Sequence, residues 1–229
     1  MNRVYERRWI RFAKGDKMKY IGHLDLLRIF QSAIRRAKLP VAYSMGFNPH
    51  MRLSFALPLP VGMESICEYI ELLLDEPTDL MPLDSQLPDG LRLLETFEIP
   101  ADAPKPAAAI VAADYRLTFP GIMGVTEKHL QNILDASEII IMKKTKKGEG
   151  EADIRPDIFA LNHDGIGAVA MRLSAGSARN LSPLIVVRKI FEDMGISPAP
   201  HEISLLRQEV YGNGFSPLHE QALHQAAAD

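Results

Sequence analysis

The sequence predicts an α+β protein made of two sequential ferredoxin-like (split βαβ) units, each an antiparallel sheet with helices on one face. Three observations predict it. The first hundred residues read strand, helix, strand, strand, weak helix, strand; the same order returns after residue 113; and residues 101–113 between them (ADAPKPAAAIVAA) are rich in Pro and Ala and poor in large apolar side chains, as a linker is. The expected organisation is a basic N-terminal unit over 1–100, the linker, and a C-terminal unit over 114–229.

In the first unit, Val4 to Ala13 alternates, with Tyr5, Arg7, Trp9 and Arg11 on one face and Ile10 and Phe12 on the other. Gly15-Asp16 marks a turn and Met18 to Ile21 a short continuation. A helix runs from about His23 to Lys38, because Leu24, Leu27, Phe30, Ile34 and Ala37 recur at helical spacing; Leu39-Pro40 ends it. Tyr43 to His50 is a loop built on Gly46 and Asn48-Pro49. Arg52 to Leu57 is a short strand, LPLPVG a connector, Ser65 to Leu74 a strand, Pro77 to Pro88 a weak helix or irregular crossover, and Leu91 to Ile99 the fourth strand.

In the second unit, Asp114 to Phe119 is a strand. Thr126 caps a helix that ends at Asp135, with Glu127 in its first turn. Glu138 to Lys144 is a strand, KKGEGE a charged turn, and Glu151 to Ile158 an extended piece broken by Pro156. Ala168 to Ser174 is the next strand; Ser182-Pro183 opens a helix that stops at Gly195; Ile203 to Tyr211 closes the unit. The tail from Gly212 is expected to be loosely held.

Composition bounds the function. Hydrophobic residues make up 47% and charged residues 24%, ordinary for a globular protein. No window approaches the roughly 18 apolar residues that span a bilayer, and MNRVYERRW lacks the apolar core of a signal peptide, so no membrane association and a cytoplasmic location are expected. The single cysteine, Cys67, forms no internal disulfide and reads as a small core residue. The seven histidines are scattered singly, and neither HExxH nor CxxC occurs, so no metal or iron–sulfur centre is expected within this chain.

Charge is uneven along the chain. Residues 1–56 hold twelve Lys and Arg against Glu6, Asp16 and Asp25, a balance of +9; residues 57–100 hold ten acids against Arg92, a balance of −9. A basic first quarter predicts one positive face that attracts a polyanion; the alternative is that the two blocks neutralise each other across one domain.

The candidate site residues follow. Arg28, Gln31, Arg35 and Arg36 on one side of the helix could clamp phosphates, since guanidinium forks match phosphate geometry. Tyr43 and Phe47 could stack on unpaired bases. Arg11, Asn48, His50 and Arg52 complete the expected nucleic-acid-binding set. His50, in its loop, and His23, at the helix start beside Asp25, are the candidate catalytic groups; the simpler readings are a phosphate contact for His50 and caps for His23 and Asp25. The loop from Tyr43 to His50 is expected to line a cleft between the two halves and to stay out of either core, because its polar groups would be costly to bury unpaired.

The run from Gly22 to Tyr69 (GHLDLLRIFQSAIRRAKLPVAYSMGFNPHMRLSFALPLPVGMESICEY), with ADIRPDI at Ala152 to Ile158, resembles the uncharacterised radical SAM-associated protein family, as a stand-alone member without the radical SAM domain. The resemblance implies a radical SAM enzyme as partner, and that partner would carry the iron–sulfur cluster and S-adenosylmethionine; this chain would need no cofactor. At the level of fold, paired ferredoxin-like units with a basic groove are similar to RNA-processing RAMP proteins. The leading expectation is an RNA-binding accessory protein that presents substrate to a radical SAM enzyme. The alternatives are an RNA-processing or RNA-modifying enzyme using His50 or His23, and a protein-interaction subunit docking through its acidic block.

Overall fold

A computed structural model describes residues 5–145, 148–164 and 167–220. The chain divides into two compact units, one from Met1–Ile110 with Glu209–Asp229, the other from Val111–Gln208. The boundary falls inside the Pro/Ala stretch, which also holds a short helix and the start of a strand, and the chain returns to the first unit at Glu209.

In the first unit, β1 (Glu6–Lys14) is followed by helix α1 (His23–Arg36), β2 (Leu53–Phe55), β3 (Glu64–Leu74) and β4 (Leu91–Ile99). β1 pairs antiparallel with both β3 and β4, and β2 pairs with β3, which is the ferredoxin-like order 4-1-3-2. A 3-10 turn over Met81–Gln86 stands where a weak helix or irregular crossover was expected. Another, over Asp16–Met18, replaces the short strand continuation. α1 ends before its proline: Lys38 takes a left-handed φ of 53°, and the Leu39 amide donates to the Ile34 carbonyl.

α1 covers one face of this sheet. Ile10, Leu72 and Leu74 meet Ala33 and Ile34, while Phe12 and Ile70 meet Leu26 and Phe30. Phe12, Phe30 and Phe55 pack edge to face with ring centroids 4.9–6.0 Å apart. By strand alternation, Arg7, Trp9, Arg11, Cys67, Tyr69 and Glu71 lie on the opposite face.

The second unit begins after α2 (Pro106–Ala109) with β5 (Ala112–Thr118) and α3 (Glu127–Asp135), followed by β6 (Ile140–Thr145), β7 (Gly148–Asp153), β8 (Ile158–His163), β9 (Val169–Ser174), α4 (Pro183–Met194) and β10 (Ser204–Tyr211). Its sheet runs β10-β5-β9-β8, again the ferredoxin-like order, while β6 and β7 pair only with each other. The strand expected at 138–144 is therefore one arm of an inserted hairpin. The sheet strand in its place is β8, which begins where the expected extended piece was to end. Thr126 caps α3 through a reciprocal pair: its Oγ1 accepts from the His129 amide, and His129 Nδ1 accepts from the Thr126 amide at 3.1 Å. Pro183 opens α4 and Gly195 closes it at φ 64°.

The tail is held through residue 220, and the rest of the segment expected to be loose, 221–229, lies outside the described residues. The Gly212 amide donates to the Ser216 carbonyl, Pro217 bridges to Tyr211, and Leu218 is fully buried. Burial of one large apolar residue fixes a segment that composition alone marked as loose.

Candidate nucleic-acid interface

Pairing in space dismantles most of the +9 block. Arg7 binds Glu71, Arg8 binds Glu6 and Glu98, Lys17 binds Asp89, Lys19 binds Asp16 and Arg28 binds Asp25. Arg11 bridges Glu95 and Glu209 at 3.2 and 3.1 Å. Lys14 is buried, with Nζ donating to the carbonyls of Lys19 and Ile21. Among the described residues, the cations of this block without a carboxylate partner are Arg35, Arg36, Lys38 and Arg52. Arg35 donates to Ser32 Oγ, Arg36 to the Gln86 carbonyl, and the Arg52 guanidinium sits 4.8 Å over the Tyr5 ring.

Along the chain these four cations bracket the loop from Tyr43 to His50. The loop is a small hairpin rooted in β3: the Ala42 amide donates to the Leu73 carbonyl, the Leu73 amide to the Arg52 carbonyl, and the Arg52 amide to the Ala42 carbonyl. Tyr43 bridges to Met51, which is buried and anchors the base. Near the tip the Ser44 amide donates to the His50 carbonyl at 2.8 Å and the His50 amide to Ser44 Oγ at 2.9 Å. Gly46 takes φ 122°, a conformation L side chains rarely adopt, so the reversal depends on glycine there. The tip stands out of the core: Phe47 is fully exposed and Met45 is 88% exposed. Asn48 and His50 are exposed with it.

The other expected site residues lie elsewhere. Arg11 is on the sheet face opposite α1, and Gln31 is half-buried on the helix. His23 is exposed and packs edge-on against Phe55 at 5.1 Å. Gly22, with no side-chain cap bond, occupies the N-cap position, and Asp25 spends its carboxylate on Arg28. Among the described residues no carboxylate orients the ring of His50 or His23, and no group of three or more His, Cys, Asp or Glu could hold a metal ion. No helix among them is long and apolar enough to cross a membrane.

Opposite α1 the sheet carries a buried polar cluster that sequence reading missed. The Cys67 thiol donates to Glu209 at 2.7 Å, and Tyr69 Oη meets His219 Nδ1 at 2.9 Å. Burial, and then the carboxylate of Glu209, push the Cys67 thiol pKa up; burial, then Cys67 and Glu209, do the same for the Tyr69 phenol. Burial pulls the Arg11 pKa down, but the surrounding acids outweigh it and the group is raised overall. These contacts join residues up to 198 positions apart, which no local pattern announces.

In the second unit, ADIRPDI works as a brace. Arg155 Nε donates to the Leu134 carbonyl and Nη1 to the Ile158 carbonyl, both at 2.8 Å. Asp153 accepts from the Ile139 and Arg155 amides, which holds its carboxyl below the ordinary range. Asp157 binds Arg179 through both oxygens. Between α3, β6 and α4 lies an open groove of about 960 Å³, floored by Ile133, Ile139, Ile154 and Ile185.

Comparison with known proteins adds a family and little else. No curated protein matches the sequence. Among solved structures it is similar to a candidate glycine cleavage system transcriptional repressor, at 11% identity and a TM-score of 0.28, over 89% of this chain and 99% of the other. A family model described as "Uncharacterized protein conserved in bacteria (DUF2344)" matches residues 7–183. That match spans most of both units, the exposed loop and the ADIRPDI brace, and the chain belongs to this family.

Proposed function

We propose that this protein is a non-catalytic accessory protein that binds single-stranded RNA through the loop from Tyr43 to His50 and the cations beside it. One observation carries the reading: the basic residues left without a carboxylate, Arg35, Arg36, Lys38 and Arg52, fall on the same stretch of chain as the exposed rings of Tyr43 and Phe47. A cationic margin around a protruding aromatic is what a single strand needs, phosphates held by charge and an unpaired base stacked on the ring. The resemblance of Gly22 to Tyr69 to radical SAM-associated proteins supports a radical SAM enzyme as the partner that acts on the bound strand, cluster and S-adenosylmethionine belonging to that enzyme.

The test is anisotropy of a labelled single-stranded RNA across a salt series. Four cations predict a log–log slope no steeper than about −3, at about 0.7 per phosphate contact. Arg35→Ala with Arg36→Ala should flatten the slope by about 1.4, and Phe47→Ala should weaken binding about tenfold while leaving the slope unchanged. Salt-independent affinity, or a Phe47→Ala variant that binds RNA normally but no longer captures a protein partner, would move the loop to protein docking.

A further inference from the structure

We propose that the sheet face opposite α1 in the first unit holds a stacking slot for an unpaired nucleobase, kept closed by the chain's own His219. Trp9 on β1 stands opposite Phe97 on β4, and its ring meets Tyr69 on β3 edge-on at 6.4 Å. The His219 imidazole lies nearly parallel to two of these rings, at 21° to each, with centroids 5.1 Å from Phe97 and 6.4 Å from Tyr69. Its Nδ1 meets the Tyr69 hydroxyl at 2.9 Å. A flat heteroaromatic ring that stacks by its face and hydrogen-bonds by an in-plane nitrogen is what a base presents to aromatics on a sheet.

The closing element follows β10 through a short turn. Its anchors include the Gly212–Ser216 hydrogen bond, the Tyr211–Pro217 bridge, the Tyr211–Phe215 ring contact and the buried side chain of Leu218, with Phe215 in a left-handed conformation at φ 57°. Phe97 and His219 are only half-buried, so the slot opens at its rim. Arg11 beneath is already shared between Glu95 and Glu209, so the slot offers stacking and a phenolic hydroxyl and little attraction for phosphate. The choice of a nucleobase as the incoming ring rests on the RNA reading above.

Free adenosine, which carries no phosphate, tests the slot apart from the loop, with the fluorescence of Trp9, the chain's one tryptophan, as reporter. His219→Ala should bind adenosine at least tenfold more tightly than the wild type. His219→Asn, which keeps a polar partner for Tyr69 but has no ring to stack, should show the same gain and guards against an unfolded alanine variant. Adding Phe97→Ala should abolish the gain, and adding Phe47→Ala should leave it intact. A folded His219→Asn protein with wild-type adenosine affinity, or a gain that survives Phe97→Ala, overturns the slot whatever the outcome for RNA at the loop. Loss of RNA binding in Phe47→Ala with the adenosine gain retained separates the two sites.

Discussion

Leu218→Ala should destabilise the first unit as a core mutation does. Leu218 is fully buried although it lies near the end of the described chain, beyond β10 and the 3-10 turn at Asn213–Phe215. Removing a completely buried leucine side chain costs about 1.5–3 kcal/mol of transfer free energy. The cavity left behind raises the total to about 2–5 kcal/mol. At about 2–4 °C per kcal/mol for a chain of this size, a 3 kcal/mol loss lowers Tm by about 6–12 °C. Differential scanning calorimetry, followed in parallel by the near-ultraviolet signal of Trp9 and Tyr69, measures it. A drop below about 1 °C would refute the reasoning, since the segment would then contribute nothing to the core it enters.

Two further predictions concern the cluster and the brace. The Cys67 thiol is raised by burial and by Glu209, so its contribution is complete below about pH 8.5, the unfolded value, and is lost as pH rises beyond it, because only the unfolded chain ionises readily there. Tm measured from pH 7 to 10 should fall more steeply for the wild type than for Cys67→Ala, and equal slopes would show that the thiol is not the group responsible; Tyr69 pulls the same way at higher pH. Arg155→Lys should destabilise the second unit by about 1.5–3 kcal/mol for each charge-assisted bond lost, read as a lower urea midpoint at unchanged slope, since a compact ammonium lacks the planar fork that reaches the Leu134 and Ile158 carbonyls. An unaltered midpoint would mean that the ammonium satisfies both.

Much of the architecture was legible because it is local. The alternation of β1, the apolar spacing of α1, Thr126 before α3 and the Ser182-Pro183 start of α4 each specify their element within a few residues. Pairing is not local. The stretch at 138–144 is as apolar and β-branched as a sheet strand, yet it pairs with Gly148–Asp153 as a separate hairpin, and nothing in its composition distinguishes the two fates. The charge asymmetry was plain in the sequence, but its cancellation depends on contacts such as Arg7–Glu71 and Arg11–Glu95, 64 and 84 residues apart. The loop could be read because Gly46 and Asn48-Pro49 mark a reversal. The stacking of His219 on Phe97 could not, since a lone histidine near a polar tail has no periodic signature.

The division of the chain has a consequence for synthesis. The first unit takes its residues from both sides of the second, so the ribosome finishes β1 to β4 long before it makes Glu209, Leu218 and His219. Residues 111–208 come between, which at about 5–20 residues per second is a delay of about 5–20 s. Throughout that interval Arg11 lacks Glu209 and the rings of Tyr69 and Phe97 lack His219, so the nascent sheet exposes an aromatic, charged face. A chaperone or an RNA encountered during translation would meet the open form of a surface that the released protein closes.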